Sequence, residues 1–434
     1  MVKKKLLKEN IKKYFKHLEK KQTKFIPGKS KIPVAFPPYN ADEIWEALDS
    51  MLNFETTMGN KVRKFEKEFA KYVGVKYAIM VNSGSSANLL ALSILANPLL
   101  GNKRIKNNEE IITPAVTWPT TVHPISTVGA IPKFVDVTLD DFTIDINEIE
   151  KSITKKTRGI MLVHLIGNPC NMQKIKKIVK KHNLWLIEDA CEAHGAKYYK
   201  KHVGSFGDLS TFSFFASHHI TTMEGGMVVT NNKTLYELGK SLRSFGWIRD
   251  QSSKKALRKK YKKIDSRFLF VNVGYNLRPT ELQGAFGIHQ IKKLENLVNI
   301  RIDNAIFWNK KLSSYKKFLI LPKLKKYYRQ SFLFYPLTVV ENSYFTKKEL
   351  VDQLEKAGIE TRPVMTGNIL EQPVTKIIKF RRNSKFTNAQ YIMKNSFLLG
   401  NHHLIGKSER EFIANTIINF INKKTSQKKF HNTL

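Results

Sequence analysis

Residues Phe214 to Gly226 read "FFASHHITTMEGG". They continue the run "STFSFF" (210–215) and lead into "GGMVVTN" (225–231), both with the composition of buried strands. The Met-Glu-Gly-Gly close marks a tight turn, where glycine lets backbone approach a neighbour or a ligand closely. Between strand and turn stand two imidazoles, His218 and His219. The stretch therefore asks what chemistry needs an imidazole just past the end of a buried strand.

Upstream of this stretch the chain alternates apolar runs with helical patterns. Strands are expected at "KYAIMVNS", "EEIITPA", "IPKFVDV", "RGIMLVHLIG" and "LWLIEDA". Between several of them lie helical patterns such as "INEIEKSI" and "NMQKIKKIVKKHN", and before them "NKVRKFEKEFAKYVG" sets Val62, Phe65, Phe69 and Tyr72 on one helical face. Near-continuous apolar strands separated by helices predict an α/β fold with a mostly parallel sheet covered on both faces. This large domain is expected over 31–285. A long helix near 285–315, then "SFLFYPLTVV", "KKELVDQLEKAG" and "IETRPVM", predict a smaller α+β domain over 286–434. Residues 1–30 form a basic helical extension with a stripe of Leu7, Ile11, Tyr14 and Leu18, expected to pack on its own protein or a partner copy. A basic helix on an anionic membrane face is the sharper alternative. "FIPGKSKIPVAFPPYN" reads as a linker or wrapping arm, and lysine-rich "SSKKALRKKYKKIDS" as an exposed loop.

Composition narrows the class. The 434 residues are 42% hydrophobic, enough for a sizeable core. No apolar run reaches the ~18–20 residues of a membrane span, and the amino end lacks the apolar core of a secretory signal. Two cysteines, Cys170 and Cys191, make neither a disulfide framework nor a metal cage, so a reducing cytoplasm is expected, with no metal site. The formal charge of +38 suggests nucleic acid, but the lysines are spread along the chain and no nucleic-acid-binding module is present. A nucleic-acid partner is therefore not expected.

Four pieces of the first block fall at strand ends, where open α/β sheets bind ligands. "SGSSAN" (83–88) sets Gly84 and Ser85 at a helix start, an anion site made of free amides and the helix dipole. "AVTWPTT" presents Trp118 after a strand, with a flat face for a ring. "LWLIEDACEAHGA" ends a buried strand on Glu188 and Asp189; a carboxylate there is costly unless it meets a cation, such as a protonated pyridine nitrogen. Ser213 offers a hydroxyl to a phosphate. Arg249, beside Trp247, and Arg362 suit a carboxylate or diphosphate.

Phosphate cradle, stacking indole, ring-nitrogen carboxylate and strand–turn–Gly-Gly together resemble the pocket of the fold type I pyridoxal phosphate enzymes (aspartate aminotransferase-like). Within them the chain is similar to the nucleotide-sugar aminotransferase and dehydratase family over roughly residues 30–420. The resemblance implies cofactor contacts from Gly84, Ser85, Trp118, Asp189 and Ser213, and from Glu192 near the ring oxygen. Asn276, in "GYNLRPTELQGAFG", matches an asparagine that reaches the phosphate of the neighbouring subunit, which implies a homodimer with shared sites. Met58 and Gly59, in "TTMGNKV", resemble a stretch lining the sugar pocket.

The family's aminotransferases carry a lysine where this chain has His218. Lysine forms a Schiff base with the cofactor; imidazole does not, so noncovalent binding of pyridoxal or pyridoxamine phosphate is implied. An imidazole still moves protons, and its ordinary pKa of about 6.5 suits a general base. Histidine here resembles the sugar 3-dehydratases of the family. One branch adds an iron–sulfur cluster on clustered cysteines, but "SFGWIRDQSSKKALRKKYKK" contains none, so no cluster is expected. The other branch acts on a GDP-linked sugar and shares "SHHITTMEGG", "GYNLRP", "GIETRPVMTGNIL" and "LLGNHH"; the long basic amino end is closer to the first. The resemblance implies amination of the cofactor by L-glutamate, then loss of the C3 hydroxyl from a nucleotide-linked 4-keto-6-deoxyhexose, with release of 2-oxoglutarate and ammonia. It places this step in dideoxysugar and lipopolysaccharide O-antigen biosynthesis. The competing readings are a cluster-free relative of the CDP-sugar branch, a nucleotide-sugar aminotransferase, and a cofactor-binding scaffold without catalysis.

Overall fold

The computed structural model describes residues 2–21, 24–341, 344–383 and 385–431. Its main sheet has eight strands in the order Tyr77–Val81, Gly226–Thr230, Leu209–Ser213, Trp185–Asp189, Thr157–Val163, Glu110–Pro114, Ile131–Val135 and Arg381–Arg382. Only the pairs made by Gly226–Thr230 are antiparallel; the others run parallel. Side-chain alternation explains why these strands read as unbroken apolar runs. Ala78 and Met80 enter a core beneath the helices Asn60–Val73 and Glu281–Lys311, while Ile79 and Val81 enter another beneath Gly84–Ala96 and Lys233–Arg243. Each face is buried, so most positions are apolar.

A second sheet, all antiparallel, orders Leu319–Ile320, Phe334–Val339, Ser396–Gly400 and Thr361–Pro363. Trp308 and Tyr335, both fully buried, centre its core, and the helices Lys347–Lys356 and Lys407–His431 contribute Leu350, Leu354, Ile413 and Ile417 to it. The chain does not divide cleanly at 285/286. The helix Glu281–Lys311 runs straight through that point. Ile32, from the expected linker, pairs with Ile359 and joins the core of the second sheet, and the Val34 amide donates to Glu360. In return, Arg381–Arg382 add an edge strand to the main sheet beside Ile131–Val135. Such short exchanges carry no hydrophobic period, so nothing in the sequence signals them.

The basic stretch 252–266, expected as a loop, contains the helix Lys254–Lys260, with no buried residue. The amino-terminal helix spans Val2–Lys21 and rests on the helix Ala41–Leu52 through Lys4, which bonds Asp49 and Asn53, and Lys12, which faces Asp42. Most of its apolar stripe is left in solvent.

Candidate active site

The carboxyl ends of the parallel strands open onto a cavity of about 580 Å³, within the size range of small-ligand sites. Ser83, Gly84, Ser85, Trp118, Asp189, Glu192, Ser213, His218 and Arg362 all line it. Gly84 starts the helix Gly84–Ala96, whose N-cap Ser83 accepts from the Ser86 amide. Gly84 and Ser85, the first two residues of that helix, have amides with no acceptor among the described residues. A Cβ on Gly84 would lie 2.4 Å from that of Ser213, and one on Gly226 would lie 2.2 Å from the Ser83 carbonyl oxygen. Glycine at both positions is what lets helix start, strand end and turn converge.

Strand alternation separates the two acids of "LIEDA". Glu188 turns away from the cavity and is fully satisfied, accepting from the amides of Gly204, Phe206 and Gly207 and from Ser210. It also bonds His164 Nε2 at 2.9 Å; since the Cys170 amide donates to Nδ1, the imidazole proton sits on Nε2. Asp189 turns toward the cavity. Its Oδ2 accepts from Asn88 Nδ2 and Thr121 Oγ1, each at 2.8 Å, and its Oδ1 from the Cys191 amide. Asn88 is in turn fixed by Thr211, and Thr121 by Thr117. One edge of the carboxylate is thus clamped. Glu192 takes a bond from the Ile166 amide, and burial raises its carboxyl pKa to about 7.

The loop that carries His218 is pinned throughout. Phe214 donates to the Gly225 carbonyl, Thr222 to the Phe214 carbonyl, and Gln283 Nε2 to the Glu224 carbonyl. His218 Nδ1 lies 3.1 Å from the Ser213 carbonyl oxygen, which can only accept, so in the neutral ring Nδ1 carries the proton and Nε2 the lone pair, with the Cys191 backbone also within hydrogen-bonding reach of the ring. Burial lowers the His218 pKa to about 4, which corrects the ordinary value expected from sequence and leaves the ring neutral at physiological pH. His219 points the other way, Nε2 on the Ser331 carbonyl, and is fully buried as a structural residue.

Four candidates stand outside the cavity. Met58 packs against the core under the helix Asn60–Val73. The Gly59 amide donates to Glu281, whose carboxylate also takes the amides of Lys61 and Val62 and so caps that helix. Arg249 lies over the Trp247 ring, 5.2 Å from its centre. Asn276 is exposed and accepts from Arg278. Conversely, sequence reasoning passed over Asn88 and Thr121, the clamps on Asp189. Asn88 sits in the "SGSSAN" stretch and Thr121 in "AVTWPTT", but only the fold shows that both reach one carboxylate.

These residues fit pyridoxal phosphate. Free amides beside a hydroxyl suit a phosphate, Trp118 offers an indole, and Asp189 has an oxygen facing the cavity for a cationic ring nitrogen. Among the described residues lining the cavity there is no lysine to bind such a cofactor covalently.

Comparison with known proteins agrees with this geometry. The chain is 38% identical over 364 residues to the GDP-4-keto-6-deoxy-D-mannose 3-dehydratase of Escherichia coli O55:H7, covering 83% of this chain and 92% of that one. It is 36% identical over 386 residues to the lipopolysaccharide biosynthesis protein RfbH of Salmonella typhimurium, covering 87% and 88%. A crystal structure of a GDP-4-keto-6-deoxymannose-3-dehydratase with a trapped PLP-glutamate geminal diamine superposes with a TM-score of 0.83 at 35% identity, covering 89% of this chain and 99% of that one. The model of the DegT/DnrJ/EryC1/StrS aminotransferase family matches residues 38–418. The chain belongs to the DegT/DnrJ/EryC1/StrS aminotransferase family, with the pyridoxal phosphate-dependent aminotransferase fold.

Proposed function

We propose that this protein removes the C3 hydroxyl from a nucleotide-linked 4-keto-6-deoxyhexose, GDP-4-keto-6-deoxymannose, using noncovalently held pyridoxal/pyridoxamine phosphate and L-glutamate, and releasing 2-oxoglutarate and ammonia. One observation carries the reading: a cavity lined by Asp189 and by a His218 whose neutral ring keeps its lone pair on Nε2, with no lysine among its described lining residues. When bound, the cofactor supplies an amine for the C4 carbonyl and a ring that delocalises electrons. The amides of Gly84 and Ser85 and the Ser213 hydroxyl would hold its phosphate, Trp118 would cover the ring, and Glu192 would lie by the ring oxygen.

Asp189 presents its carboxylate to the cavity, where it would pair with a protonated ring nitrogen of the bound cofactor. His218 Nε2 takes the proton from the carbon beside the amine, and the same imidazolium, facing the cavity, can return it to the departing hydroxyl. The proton taken and the proton given balance. Arg362, with no acidic partner among the described residues, suits the glutamate carboxylate or the sugar diphosphate. In a homodimer Asn276 would serve the phosphate of the partner's site, which its exposure permits.

The test is mass spectrometry of products from GDP-, CDP- and UDP-linked 4-keto-6-deoxy sugars with glutamate. A 4-keto-3,6-dideoxy sugar and ammonia in step with 2-oxoglutarate are expected, with GDP preferred. A stable 4-amino sugar as the main product would overturn the dehydratase reading in favour of transamination.

A further inference from the structure

The family model matches from residue 38, so the helix Val2–Lys21 lies outside the region it describes. It holds nine lysines against two glutamates. Contacts with the helix Ala41–Leu52 use one side of it: Lys4 and Lys12 meet Asp49 and Asp42, and Lys8 lies over Trp45. Ile11 and Phe15 are half-buried along the same side. Leu6, Leu7, Tyr14 and Leu18 are exposed, Tyr14 by 60%. Met51, Leu52 and Phe54, around the turn to which Lys4 is tied, are exposed too, Phe54 by 93%. Lys3, Lys5, Lys13, Lys16 and Lys20 have no acidic partner among the described residues.

We propose that this helix is a membrane-surface anchor that lays its Leu7–Tyr14–Leu18 stripe on an anionic lipid surface with its unpaired lysines at the headgroups. Charge selects the occupant. A second copy brought onto the stripe would set the same local surplus of seven lysines against itself. Anionic lipid reverses that sign: it attracts the lysines and accepts the apolar residues between them. Contact through one side only leaves the stripe free without unfolding anything. The inference does not depend on the reaction proposed for the cavity.

The test is sedimentation of the full-length protein with vesicles of phosphatidylcholine alone or mixed with phosphatidylglycerol. Binding to the mixed vesicles is expected to be at least about tenfold tighter and to weaken as salt rises. Leu7→Gln/Leu18→Gln leaves the charge unchanged and should reduce that binding about tenfold or more, while turnover and the mass by light scattering stay as in the parent. Lys13→Gln/Lys16→Gln, with the stripe intact, should also weaken it. Equal binding by parent and the leucine variant would show that general basicity suffices and would overturn the anchor. A shift of the leucine variant to a smaller assembly would assign the stripe to a second copy and equally overturn it.

Discussion

At the scale of single residues the decisive feature is an imidazole that keeps its lone pair. Burial holds the His218 pKa at about 4, and the Ser213 carbonyl pins its proton on Nδ1. Protonation would remove the base, so for as long as the protein stays folded kcat/KM should show no acid limb from this ring near its ordinary value of about 6.5. A pH–rate profile whose acid limb sits near 6.5 instead would show that the ring is not desolvated in the working enzyme. Asp189 depends on its clamps in the same way. Thr121→Val deletes a hydrogen bond to a charged acceptor and leaves Asn88 alone on Oδ2. A loss worth about 1.5–3 kcal/mol corresponds to roughly ten- to a hundredfold in kcat/KM. Little change in kcat/KM would mean that Asn88 and the Cys191 amide suffice to orient the carboxylate.

At the scale of elements, the site is built where helix starts meet strand ends, and one side chain joins two of them. Glu281 opens the long helix Glu281–Lys311 and caps the helix Asn60–Val73 through three amides. Glu281→Ala leaves those donors without their acceptor at a buried position. A destabilisation of about 3 kcal/mol is expected, with substrate KM in the native baseline unchanged. Denaturant unfolding measures the first and steady-state kinetics the second. A raised KM with intact stability would return Gly59 to the sugar pocket, where its resemblance had put it.

At the scale of the whole molecule, burial of histidine couples the fold to pH. His202, His218, His402 and His403 are lowered to about 4, and His194 and His219 are lowered too, in each case chiefly by desolvation. Unfolded, each takes a proton near pH 6.5; folded, each resists it well below that. The stability they contribute is therefore complete above about 6.5 and is lost as pH falls toward the folded values. Glu192 opposes this trend. Its folded pKa of about 7 exceeds the ordinary 4.5, so its share is lost as pH rises between those values. The six histidines outnumber the carboxyls that burial raises, Glu192, Asp208 and Glu224, and the melting temperature should drop as pH falls below about 6.5. A flat profile would mean that these rings take up protons without unfolding.

The sequence by itself determined seven of the eight strands of the main sheet, because a strand buried on both faces is mostly apolar; the edge strand Arg381–Arg382 carries no such pattern. It also determined the cavity's chemistry, since Gly84, Ser85, Trp118, Asp189, Glu192, Ser213 and His218 are local features of strand ends and helix starts. Tertiary structure alone decided orientation and company. Adjacent acids on a strand face opposite ways, but which of Glu188 and Asp189 meets the cavity depends on the layers packed above and below them. Asn88 and Thr121 reach Asp189 from 101 and 68 residues away, a distance over which no local pattern carries information. Met58 and Gly59 are site candidates by resemblance and Arg249 by its pairing chemistry; within the single chain their neighbours are a hydrophobic core, a capping carboxylate and an indole. The ring of His218 is the same case in miniature: its identity is written in the chain, whereas its proton affinity is set by the desolvation that only the folded core imposes.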